Sequence, residues 1–116
     1  MEGILLNMAR AAAEAAGRRG TVWTLSGSWE LNANLLRFPA GTGVKEHTNE
    51  AVDVLLVGVT GEGLVRIGDD EHRLRPGVLV AVPKGVRRSL SSLSEDFSCL
   101  SVHRRRGPLL PGRPPG

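Results

Sequence analysis

The side chains best suited to chemistry in this chain are three imidazoles, one thiol and a large set of guanidiniums. An imidazole can ligate a metal or move a proton near neutral pH. His72, inside Asp70-Glu71-His72-Arg73 and beside a turn, is expected at the surface. His103 stands late in an apolar run, where it either reaches a pocket mouth as a spare ligand or base, or ends its strand in solvent. Arg87 and Arg88 carry permanent cations that cannot ligate a metal, and their planar forks suit a carboxylate or phosphate. Asn32 and Asn34, two apart, share one strand face that lines a pocket with His47 or faces solvent. Cys99, between Phe97 and Val102, reads as a buried, inert thiol, and a single cysteine excludes an intrachain disulfide. No nucleophile elbow, Cys–His pairing, phosphate loop or dinucleotide fingerprint is present, and Gly61-Glu62-Gly63 reads as a hairpin turn.

The elements that must position these groups fit one domain, since 116 residues can bury a single core and little more. Only Trp23, Trp29, Phe38 and Phe97 are aromatic, so Val, Leu and Ala must build that core. The net charge of +3 comes mainly from 13 arginines, with Arg104–Arg106 consecutive. So few aromatics and no known module argue against nucleic-acid binding, and the basic run reads as a solvated end. No apolar run approaches the roughly 20 residues of a membrane span. Glu2, Arg10 and Glu14 interrupt any signal-peptide pattern, so a cytoplasmic protein is expected.

Ile4–Ala16, rich in Ala, Leu, Met, Glu and Arg and closed by Gly17, predicts a helix. Its face of Ile4, Leu5, Met8, Ala12 and Ala15 would pack on the strands or on a partner. After it come short β-like runs at Thr21–Leu25, Leu31–Phe38, Val52–Val59, Gly63–Ile67, His72–Leu74, Val78–Val82, Arg88–Ser91 and Phe97–His103. Turn residues such as Arg75-Pro76-Gly77 and Pro83-Lys84-Gly85 separate them. Eight such runs at regular spacing predict an all-β sandwich or barrel. The reading divides the chain into a helical segment (1–20), a barrel domain (21–106) and a Pro/Gly-rich tail (107–116) expected to be mobile.

Two stretches, Gly41–Asn49 and Gly77–Arg88, resemble in their residue spacing the paired signature motifs of the cupin superfamily. Gly41, five residues and His47 match the start of the first motif, with Thr48-Asn49 where a second histidine would stand. Gly77, five residues and Pro83-Lys84-Gly85 match the second, which ends here in Arg88 instead of histidine. The runs Val52–Leu56 and Ser101–Arg106 look like a recurring subgroup of small bacterial one-domain cupins. The resemblance implies a jelly-roll β-barrel with an N-terminal helix, dimerisation through the sheets, and a site for Fe, Mn, Ni or Zn on the inner wall. That site would need two histidines, an acidic residue and a last histidine.

This sequence departs from that set. His47 can ligate, Asn49 is a weak neutral donor and Arg88 repels a cation. The acidic position is open: counting from Asn49 gives Asp53, whereas counting back from Gly61 gives Val54. If Arg88 points inward, Asp53 is its natural partner, because a buried unpaired charge is costly. The leading expectation is a binding module with an incomplete metal site and no cofactor or defined reaction. It would hold a small anionic ligand among His47, Asn49, Asp53, Arg88 and Asn34. The alternative is a metal-dependent enzyme, of oxygenase or isomerase type, using His47 and Asp53. A third is a regulatory protein acting through its helix and basic end. A homodimer is expected, without nucleic acid or membrane partners.

Overall fold

The computed structural model describes residues 2–105, so Arg106 and the tail lie outside the described residues. Its elements in chain order are α1 (Met8–Glu14), β1 (Gly20–Thr24), β2 (Leu31–Pro39), β3 (Gly43–Thr48), β4 (Val54–Thr60), β5 (Gly63–Ile67), β6 (Asp70–Leu74), β7 (Leu79–Val82), β8 (Arg87–Ser92) and β9 (Asp96–Arg104). The strands form two antiparallel sheets in the orders β1-β2-β9-β4-β7 and β3-β8-β5-β6. This is the expected all-β barrel of jelly-roll type, built from two facing sheets with a short helix outside.

Alternation decides which side chains meet between the sheets. On β9, Phe97 and Cys99 are fully buried and face inward, and the same parity carries Ser101 and His103 along the inner wall. On β2, opposite them in unbroken register, Phe38 pairs with Phe97, Leu36 with Cys99 and Asn34 with Ser101. Val65, Leu74, Val82 and Leu90 close this core, and the rings of Phe38 and Phe97 stack 6.5 Å apart. Burying one such side chain is worth about 1.5–3 kcal/mol. Gly63 belongs to the same packing, because a Cβ there would run into the Phe97 ring. Gly43 lets β3 lie close to β8, where a Cβ would overlap the Leu90 carbonyl.

Residues of the opposite parity face outward. There Leu35 is fully buried, beneath a helix that lays Ala12 and Ala15 against the five-stranded sheet. The helix is shorter than the sequence predicts. Asn7 caps it, its Oδ1 accepting from the Arg10 amide at 3.0 Å, which leaves Ile4 and Leu5 ahead of the helix and exposed. Eight strands match the expected runs with ends shifted by two residues at most, and β3 is an additional strand.

Candidate functional site

The inner-facing rows of the two sheets leave a cavity of about 210 Å³ that is partly open to solvent. Its buried part is hydrocarbon from Leu56, Val65, Val82 and Leu90, with Leu36, Val44 and Val54 partly buried above them. Its polar part is formed by His47, Asn49, Arg88, Ser89, Ser101 and His103. Of the sequence-predicted site residues, His47, Asn49 and Arg88 therefore share one space, and Asn34 and Asp53 do not line it.

Arg88 points into the barrel because it alternates with Leu90 and Ser92, the buried positions of β8. Only 8% of it is exposed. Nε donates to the Val86 carbonyl at 3.0 Å and Nη2 to the Pro83 carbonyl at 2.9 Å. The expected pair with Asp53 does not form, and among the described residues no carboxylate is ion-paired with Arg88. Burial without a counter-charge penalises the cation and pulls its pKa below the ordinary arginine value. Arg37, the other buried arginine, lies 3.0 Å from Asp96, near enough to be neutralised though angled poorly for a hydrogen bond.

Asp53 precedes β4, and its Oδ1 accepts from the Lys84 amide at 2.8 Å. Asn49 Oδ1 accepts from the Ala51 and Val52 amides at 2.9 and 3.3 Å, closing a tight local turn. The Asn49 carbonyl receives the Gly85 amide at 2.8 Å. Together these bonds clamp the Pro83-Lys84-Gly85 turn, whose Pro83 carbonyl in turn holds Arg88. Asp53 thus orients the turn behind the arginine. Val54, not Asp53, lines the cavity, so hydrocarbon stands at the acidic position of the motif.

His47 faces Arg88 across the β3–β8 pair, beside an irregularity in register between Val44 and His47. Its Nδ1 lies 3.0 Å from the Lys45 carbonyl. His103 Nδ1 lies 2.9 Å from the Arg104 carbonyl. His103 and Ser101 belong to the site through the parity of β9, a signal the apolar run already carried. Asn34 faces the interior, but its Oδ1 is held by the Thr24 hydroxyl at 2.7 Å.

The family's metal does not fit these residues. Two imidazoles remain, the amide oxygen of Asn49 is engaged, Asp53 is turned to a loop, and a guanidinium stands where the last imidazole would be. Among the described residues no three His, Cys, Asp or Glu side chains form a metal-holding group. A second groove of about 270 Å³ runs along the four-stranded sheet; Arg88 borders it too, and its other guanidiniums, on Arg66 and Arg87, are partnered. Arg66 pairs with Glu71 at 2.8 Å and Arg87 with Glu46 at 3.0 Å.

Residues 34–103 match the family model of the cupin domain, and the chain belongs to that family. Among solved structures it is similar to BH2720 from Bacillus halodurans, at 16% identity and a TM-score of 0.74, over 92% of this chain and 85% of that one. It is also similar to SPY1581 from Streptococcus pyogenes, a protein of unknown function, at 16% identity and TM-score 0.72, over 93% and 92% of the two chains. TT1209 from Thermus thermophilus is 25% identical, with a TM-score of 0.66 over 78% of this chain and 84% of that one. These likenesses concern the fold. No curated protein matches the sequence significantly.

Proposed function

We propose that this cupin is a small-molecule binding protein that holds an anionic ligand in its barrel, without a metal and without a reaction of its own. One observation carries the reading: an arginine only 8% exposed lines the cavity, and among the described residues no carboxylate is paired with it. A ligand carboxylate would supply that missing charge, and a charge-assisted bond in such a site is stronger than a neutral one. The Asn49 amide nitrogen, its oxygen being engaged, is left to donate to the same anion. The basic C-terminal end receives no role in this reading. No described helix is long and apolar enough to cross a membrane.

The test is a thermal-shift panel of small mono- and dicarboxylates and inorganic phosphate on the wild type and on Arg88→Met. A ligand that binds only the native state at 100 times its Kd adds about 2.7 kcal/mol. At least one anion should raise the wild-type Tm and leave Arg88→Met unmoved. No shift with any anion, or an equal shift in the variant, would refute the reading.

A further inference from the structure

The same cavity defines a class of ligand; this inference rests on the anion-binding reading. A carbonyl oxygen only accepts hydrogen bonds, so the contacts of His47 with Lys45 and of His103 with Arg104 place the ring proton on Nδ1 in both. In the neutral ring each Nε2 is then an acceptor, and both histidines line the cavity with Arg88. A ligand that engages these acceptors brings a hydrogen-bond donor beside its negative charge. An ammonium would donate but would meet the Arg88 cation, whereas a hydroxyl donates without charge. Beyond these groups, Asn49 and the serines, the wall is hydrocarbon, including Val54, Leu56 and Val65, which penalises a second ionised group. A volume of about 210 Å³ equals the liquid share of about seven waters, room for roughly seven to ten non-hydrogen atoms.

We propose that the ligand is a small 2-hydroxycarboxylate with a short branched hydrocarbon tail. Its carboxylate binds Arg88, its hydroxyl donates to an imidazole Nε2, and its tail lies on Val54, Leu56 and Val65.

Calorimetric titration of the full chain with four probes tests this: 2-hydroxy-3-methylbutanoate, 3-methylbutanoate, 2-amino-3-methylbutanoate and succinate. The hydroxy acid should bind at least about tenfold tighter than 3-methylbutanoate, a difference of about 1.4 kcal/mol. The amino acid and succinate should bind more weakly than either. In His47→Phe or His103→Phe the hydroxyl preference should collapse to under about threefold while 3-methylbutanoate keeps its affinity, as expected for one lost hydrogen bond. The wild-type series decides even if those variants misfold. Equal affinity for the two branched acids, both lost in Arg88→Met, would overturn the hydroxyl assignment and leave the anion reading standing. Tightest binding by succinate would overturn the hydrocarbon assignment alone. No binding by any probe, or binding that survives Arg88→Met, would overturn both.

Discussion

Arg37 and Arg88 are buried to almost the same degree, yet their surroundings differ in one respect. Arg37 has Asp96 beside it, whereas the partners of Arg88 among the described residues are the carbonyls of Pro83 and Val86. A dipole satisfies an N–H but does not cancel a charge, and that is why Arg88 and not Arg37 is read as a binding group. Asp53 separates this account from a metal-based one. Asp53→Ala removes the acceptor of the Lys84 amide and should lower stability by about 1 kcal/mol in urea unfolding, while anion affinity changes by no more than a few-fold. A role as metal ligand would instead make that substitution abolish binding. His47, Asn49 and Arg88 were legible from motif spacing. The direction of Asp53 was not, because it stands one residue ahead of β4, where alternation does not yet apply. His103 was half legible: the parity of Phe97 and Cys99 pointed inward, but its place at the strand end also suited solvent.

Strands with buried faces announced themselves in the sequence, and β3 did not. Four of its six residues are exposed and its register is irregular, so Gly43–Thr48 shows neither an apolar run nor clean alternation. It is nevertheless the strand that carries His47. The helix is shorter than its propensity for the opposite reason, since good helix formers continue through Ile4 and Leu5 while the Asn7 cap stops the backbone. Between β4 and β5, Glu62 ties its turn to the end of β6, accepting from Arg73 at 2.8 Å and lying 3.2 Å from Arg75. The bond from Arg73, with Arg75 assisting, lowers the Glu62 pKa below the ordinary 4.5. A depressed carboxyl contributes stability above its unfolded value and loses it as pH falls through the folded one. Urea titrations of wild type and Glu62→Gln should therefore differ at pH 7 and converge in acid below the ordinary 4.5. A difference that persists undiminished at low pH would contradict this.

At the scale of the whole molecule, the outer surface of the five-stranded sheet is too apolar to read as a solvated face. Leu31, Leu55 and Leu79 are 40–54% exposed on it, and Ile4 and Leu5 ahead of the helix are exposed as well. We propose that a second copy of the chain covers this face, in an isologous pairing that lets one patch meet itself. Leu55→Glu should then shift the sedimentation mass from dimer to monomer without loss of anion binding; a wild type that sediments as a monomer would refute the pairing. The cavity itself opens within one chain, so binding and assembly are separable. The most direct test of the central claim is a crystal of the protein soaked in 3-methylbutanoate. The account predicts a carboxylate about 3 Å from the Arg88 guanidinium inside the barrel, with the branched tail against Val54 and Leu56. An interior metal centre with Arg88 turned to solvent, or the acid bound only along the outer groove at Arg66 and Arg87, would contradict it.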